Sequence, residues 1–295
     1  MDLQAFLAGE RERVDTALDA LLPREQSWPA RLHGAMRYAV FGGGKRVRPI
    51  LVRAACRAGG GDPELVVEVA CAVEMVHTYS LIHDDLPALD DDTMRRGRAT
   101  VHVAYDEATA ILAGDALLTE AFAVLARFPA GDVSARRRAE ACALVAQAIG
   151  SLGMVGGQVE DLEATGDRPD ATRLDCIHRA KTGALIGAAV ELGALHAGGD
   201  GARRAAFATF GQRLGLLFQI ADDILDVTGS AATLGKSPGK DAVTGKLTYP
   251  SVFGMEAATR ELGSLAEALV GEAEGLEGRG GILGAMVTYV ARRDR

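Results

Sequence analysis

The chain has 295 residues, 48% of them hydrophobic and 24% charged, with a formal net charge of −8. That composition supplies a large apolar core under an ordinary soluble surface, and the negative balance excludes the basic patches that nucleic acid or an anionic membrane surface requires. The N-terminal MDLQAFLAGERERVD is too charged for a signal peptide, and no unbroken apolar run reaches the roughly 18 residues of a membrane span. Even GALIGAAVELGALHA is cut by Glu191. Cys56, Cys71, Cys142 and Cys176 lack CxxC spacing and read as buried thiols of a cytoplasmic protein.

From the N-terminus onward the pattern is helical. Apolar residues recur at three- and four-residue steps, as in LVVEVACAVEMVHTYSLI (65–82). Breaks fall at Pro23, Pro29, GGGKRVRP (42–49), GGGDP (59–63), FPAGD (128–132), ATGDRPD (164–170), AGGDG (197–201) and LGKSPGKDAVTGKLTYP (234–250). They delimit about ten or more helices, and none is long or polar enough to link domains. Alternating apolar–polar strands and Asn-Gly hairpin signals are absent, so strand content is expected to be low. The expectation is an all-α fold, a single-domain helical bundle over residues 1–295.

SLIHDDLPALDDDTMRRG (80–97) places Asp84, Asp85, Asp90, Asp91 and Asp92 together, with Arg95 and Arg96 just downstream. Carboxylates this close repel unless a cation sits among them, and paired arginines welcome an anion. The helix carrying VEMVHTYSLIHDD runs up to Pro87; the break there lets Asp90 return towards Asp84, while Asp91 and Asp92 are solvated. A second cluster, LFQIADDILDVTG (217–229), puts Asp222 and Asp226 on one helical face, with Asp223 beside them and Gln219 on the same face. A lone acidic cluster is ordinarily a solvated surface. These aspartates are instead embedded in apolar sequence, and buried carboxylates need metal or cationic partners. An all-oxygen ligand set selects a hard cation; no EF-hand spacing favours calcium, and Mg²⁺ takes one or two carboxylates plus substrate phosphates. Cations suited to phosphate recur at Lys45, Arg46, Arg48, Lys181 beside Thr182, Lys236, Lys240 and Lys246. GGGKRVRP is not a Walker loop. Each cation alone reads as surface, but their joint occurrence with two aspartate clusters is a phosphate-type signal.

GGGKRVRP, HTYSLIHDDLPALDDDTMRRG, GGQVEDL, HRAKTGAL, FQIADDILDVTG and LGKS…GK together resemble the isoprenyl diphosphate synthase (polyprenyl synthetase) family. The resemblance implies an isoprenoid synthase fold around a central active-site cavity, a homodimer, and two aspartate motifs that hold about three Mg²⁺ ions on an allylic diphosphate. It assigns the metal to Asp84 and Asp90 with Asp85 in support, and to Asp222 with Asp226 behind it. Arg95, Lys181, Lys236 and Lys246 would contact the allylic diphosphate. Isopentenyl diphosphate would bind without metal at Lys45, Arg48, His77 and Arg96. Thr182 and Gln219 would present dipoles to the allylic cation. His33, His83, His102, His178 and His196 are left as structural.

The residue five before the first aspartate, Tyr79, together with the two-residue insertion in LPAL, resembles bacterial short-chain farnesyl diphosphate synthases. Tyr79 and Ser80 are the chain-length positions, with Tyr79 as the floor and Ser80 too small to stop growth. Within the same family, a geranylgeranyl diphosphate synthase is the alternative. A class I terpene cyclase guides cations with aromatic faces, and this chain is only 5% aromatic. His83-Asp84 resembles the metal-binding dipeptide of phosphohydrolases, but that reading leaves the second aspartate motif, RRG and KTG unexplained. A catalytically dead binding partner would have lost aspartates or arginines, and here all are present.

Overall fold

Residues 65–82 carry apolar side chains on every side, so the helix they form has no face to offer solvent and must be surrounded. The computed structural model, which describes residues 2–131, 135–166, 168–228, 245–277 and 281–292, shows how this is achieved. Packing divides the chain into two units, Met1–Arg53 with Pro63–Cys142, and Ala54–Asp62 with Ala143–Arg295.

The first unit holds α1 (Leu3–Leu21), α2 (Ala30–Val40), most of α3 (Val47–Ala58), α4 (Val67–Asp84), α5 (Val101–Ala104), α6 (Glu107–Arg127) and the start of α7 (Ala135–Ile149). Side chains of Asp2 and Asp106 cap α1 and α6 by accepting from the first-turn amides. Helix α4 is buried from Val69 to Val76 and packs against α1, α2 and α6. Ala110, Ala113, Gly114 and Leu117 give α6 a low-relief stripe that lets it approach α4 closely.

One buried polar group interrupts α4. Glu74 is 2% exposed and accepts from Arg46 Nη1 at 2.8 Å. Arg46 is itself 3% exposed and also donates to Asp15 (2.8 Å) and to the carbonyl of Val40 (2.6 Å). A second buried arginine, Arg53, is held by Glu10 at 2.5 Å and Glu64 at 2.8 Å.

The second unit contains the rest of α7, α8 (Met154–Glu163), α9 (Ala171–Ile177), a π-helical turn (His178–Gly183), α10 (Ala184–His196), α11 (Gly201–Thr228), α12 (Tyr249–Phe253), α13 (Met255–Glu277) and α14 (Ile282–Ala291). Here α10 is the surrounded helix, buried from Leu185 to Val190 and from Leu192 to Leu195. It lies on α11 through glycines: a Cβ on Gly211 would stand 2.9 Å from the Cα of Gly187, and one on Gly215 would stand 2.5 Å from that of Gly183.

Three expectations need correction. A hairpin does exist, β1 (Met94–Arg95) paired antiparallel with β2 (Arg98–Ala99). Its turn residues Arg96 and Gly97 both have positive φ, 53° and 75°, as a type I′ turn requires, so Arg-Gly here takes the part sought from Asn-Gly. Cys56 and Cys71 are buried, but Cys142 is half-buried and Cys176 exposed. Among the described residues, three helical stretches, Pro63–Asp84, Glu107–Arg127 and Ala135–Glu163, are long and apolar enough by length and composition to cross a membrane.

The Glu74–Arg46 pair yields a stability prediction. Removing one partner of a buried ion pair leaves the other charge desolvated and costs about 3–5 kcal/mol. Glu74→Ala should show that loss in urea unfolding; a change below about 1 kcal/mol, the worth of an exposed pair, would contradict it.

Candidate active site

Helix α4 ends at Asp84, and its last carbonyls need donors from outside the helix. The chain beyond Pro87 supplies them by turning back. Asp90 N donates to the Asp84 carbonyl at 2.8 Å and Asp92 N to that of Asp85 at 3.2 Å, with Asp91 in a left-handed conformation at φ 49°. The return of Asp90 towards Asp84 is thus a backbone hydrogen bond. Asp84 and Asp90 stay half-buried, at the negative end of the helix dipole.

Asp85 is different. It is 3% exposed, and both oxygens accept from Arg95 Nε, at 2.7 and 2.9 Å, while Arg95 Nη2 lies 2.6 Å from Oδ1. Burial pushes the Asp85 carboxyl up and the Arg95 guanidinium pulls against it. This carboxylate is committed to an arginine, so the expected metal-supporting role is not the one its contacts describe.

The hairpin sends the two arginines in different directions. Arg95, in β1, reaches Asp85; Arg96, at the left-handed turn position, donates through Nη1 to the carbonyl of Gly43. A Cβ on Gly44 would stand 2.7 Å from that same Nη1, so GGGKRVRP needs glycine here to admit the guanidinium. Tyr38 fixes the hairpin from behind, donating its hydroxyl to the Ala99 carbonyl at 2.8 Å with Arg98 over its ring.

His77 lies among these cations. Its imidazole is held well below its ordinary pKa, first by burial and then by Arg48, Arg96, Arg95 and Arg46. His77 thus feels Arg48 and Arg96, and also Arg95, which the resemblance assigns to the other diphosphate; Lys45 is exposed in the loop that carries Arg48. Arg46 is an anchor, its guanidinium consumed by Glu74 and Asp15. Tyr79 is buried, its phenol pushed up to about 12 by burial and by Asp84, and its ring meets His83 edge-on at 5.8 Å. Ser80 donates its hydroxyl to the His77 carbonyl.

In the second unit, Lys181 and Thr182 occupy the π-helical turn, a widened backbone that re-aims side chains. It is packed at close range on both sides: a Cβ on Gly157 of α8 would collide with Lys181 N, and Gly215 of α11 lies against Gly183. Lys181 Nζ donates to Asp161 Oδ2 at 2.6 Å, and Lys246 Nζ is 3.9 Å from the same oxygen. Thr182 donates to Gln219 Oε1 at 2.8 Å, and Gln219 Nε2 donates to Asp223 Oδ1 at 2.8 Å. Asp222 is exposed and Asp226 buried on α11. Lys236 and Lys240 lie outside the described residues. Sequence reasoning missed Asp161 and Asp223 as organisers; the signal for the first was present in GGQVEDL.

Among the described residues, no three Asp, Glu, His or Cys side chains converge to hold a metal ion by themselves. The half-buried Asp84 and Asp90, whose loop is closed by a backbone hydrogen bond, nevertheless fit Mg²⁺, which completes its shell with water and phosphate oxygens.

Helix-borne carboxylates beside clustered arginines and lysines are the equipment of an enzyme that handles phosphorylated substrates. The polyprenyl synthetase model matches residues 29–278. A farnesyl diphosphate synthase of Geobacillus stearothermophilus is 40% identical over 294 residues, 100% of this chain and 99% of that protein. The heterodimeric geranylgeranyl pyrophosphate synthase large subunit 1 of Arabidopsis thaliana is 46% identical over 86% of this chain and 69% of its own. A geranyltransferase from Helicobacter pylori, solved with magnesium and isoprenyl diphosphate, superposes with a TM-score of 0.85 at 29% identity, over 98% of this chain and 96% of that one. The chain belongs to the polyprenyl synthetase family, and it is a short-chain prenyltransferase.

Gly215 makes the packing of the π-helical turn testable. Gly215→Ala forces a methyl into the Gly183 backbone and should cost about 1–3 kcal/mol with a clear fall in turnover. Gly263→Ala, on α13 with open space around it, should be neutral or stabilising by up to about 1 kcal/mol. Thermal melts with steady-state rates check both; equal behaviour of the two variants would contradict the account.

Proposed function

We propose that the protein condenses isopentenyl diphosphate with an allylic diphosphate, dimethylallyl or geranyl, and releases farnesyl diphosphate. The observation that carries this reading is the meeting of two basic elements in the first unit: Arg96 of the hairpin turn donates to the Gly43 carbonyl of the loop that carries Lys45 and Arg48, and the His77 imidazole, held well below its ordinary pKa, is close enough to feel Arg48 and Arg96. Lys45, Arg48, Arg96 and His77 bind isopentenyl diphosphate there. Arg95, aimed by Asp85, binds the allylic diphosphate, as do Lys181, Lys236 and Lys246. Asp84, Asp90, Asp222 and Asp226 are the residues that would hold about three Mg²⁺ ions, which when bound supply positive charge to the departing diphosphate.

The chain's own groups need supply neither nucleophile nor base. The π electrons of isopentenyl diphosphate form the new carbon–carbon bond as the allylic carbon–oxygen bond breaks. The proton lost from the lengthened chain goes to the released diphosphate. Thr182 and Gln219 present oxygen atoms to the transient allylic cation. The match to the family model, which runs through residues of both units, supports their working as one synthase domain. Exposed apolar side chains on α6, Ile111 and Leu112, support a homodimer.

Chain length is assigned to Tyr79. Five helical residues separate it from Asp84 by about 7.5 Å along α4, a depth suited to a short prenyl tail. The Geobacillus relative's name supports the farnesyl product, and the Arabidopsis relative's name supports a geranylgeranyl one. Chromatography of the products from purified enzyme, isopentenyl diphosphate, dimethylallyl diphosphate and Mg²⁺ tests the proposal. The expected product is linear farnesyl diphosphate, with Tyr79→Ala shifting it one or more units longer. A cyclic product or no prenyl transfer would refute the function; an unchanged product from Tyr79→Ala would place the floor elsewhere.

A further inference from the structure

Asp223, second of the adjacent aspartates on α11, is given neither metal nor substrate above, yet it is 3% exposed and meets three partners. Its Oδ2 accepts from the backbone N–H of Tyr249 at 2.7 Å and lies 3.3 Å from Nε2 of the equally buried His178. Its Oδ1 accepts from Gln219 Nε2 at 2.8 Å. The His178 ring lies nearly parallel to that of Tyr249, with centroids 6.4 Å apart. Every partner of Asp223 is a donor, and a backbone N–H can be nothing else.

We infer that Asp223 is a positioning residue that fixes the direction of the hydrogen bond between Thr182 and Gln219. A carboxylate facing the Gln219 amide accepts only, so it must meet the NH₂ end. Oε1 is then turned to Thr182, and the Thr182 hydroxyl spends its proton on that oxygen at 2.8 Å. The lone pairs of Thr182 Oγ1 are left for another partner. With the amide reversed, Thr182 would accept from Gln219 and its proton would point outward instead. This inference rests on the prenyl-transfer reading, in which outward lone pairs favour an allylic cation and an outward proton opposes it.

A carboxylate–amide exchange tests the relay. In Asp223→Asn the new NH₂ faces the Gln219 NH₂, and Gln219 must reverse. In Asp223→Asn/Gln219→Glu, the introduced amide donates to the introduced carboxylate, Tyr249 N and His178 still find an acceptor, Thr182 again donates inward, and the net charge is unchanged. The single variant should lose about ten- to a hundredfold in kcat with KM for both diphosphates retained, as expected for one charge-assisted hydrogen bond. The double variant should recover most of that loss. A purely structural Asp223 would move melting temperature without this split or rescue. Parent-like kcat in the single variant, or equal losses in both, overturns the relay. Should Asp223→Asn fail to fold, the double variant is compared with Gln219→Glu alone: a higher kcat in the double variant supports the relay, and an equal or lower one overturns it. An inactive parent enzyme would instead overturn the prenyl-transfer reading and the relay with it.

Discussion

Burying an arginine is costly unless every face of its guanidinium finds an acceptor, and the first unit is arranged around one that does. Glu74, set in the middle of an otherwise apolar helix, takes Arg46 Nη1, while Asp15 and the Val40 carbonyl take the rest. Arg46 is thereby held at a φ of 53°, a conformation that a non-glycine residue adopts only when its surroundings insist. The glycines before it reverse the chain and aim the Gly43 carbonyl at Arg96. The loop and the hairpin turn at Arg96 are therefore tied, through Arg46, to one buried carboxylate.

The second unit uses buried acids in the same way. Asp161 takes Lys181, and Asp223 takes Gln219, Tyr249 N and His178. Each fixes the direction of a side chain on or beside the π-helical turn, as preorganised dipoles require. The two members of each adjacent pair differ in burial: Asp84 is half-buried and Asp222 exposed, while Asp85 and Asp223 are buried and accept from protein groups.

Much of this was legible in the residues. The apolar periodicity of 65–82 dictated a helix, and Pro87 dictated the break that returns Asp90 to Asp84. The Arg96–Gly97 hairpin was missed because its turn carries an arginine at positive φ, an arrangement that only the Gly43 carbonyl and the surrounding packing explain. The π-helical turn at His178–Gly183 was equally hidden, since HRAKTG has the composition of an ordinary helix and the glycines packed against the turn are distant in sequence. The roles of Asp85 and Asp223 were invisible for a related reason. Helical spacing shows which face a carboxylate occupies, but not whether an arginine from a later hairpin or an amide from a later loop will reach it first.

The central claim is that the first unit's cation cluster takes isopentenyl diphosphate without metal, whereas the allylic diphosphate depends on aspartate-held Mg²⁺. Titration calorimetry of the intact protein, with and without Mg²⁺, reads this directly, using isopentenyl diphosphate and an allylic thiodiphosphate that does not ionise. The account predicts one affinity for isopentenyl diphosphate in chelator and in Mg²⁺, and binding of the allylic analogue only when Mg²⁺ is present. Isopentenyl diphosphate binding that vanishes in chelator, or allylic binding indifferent to it, would contradict the assignment of the two anion sites.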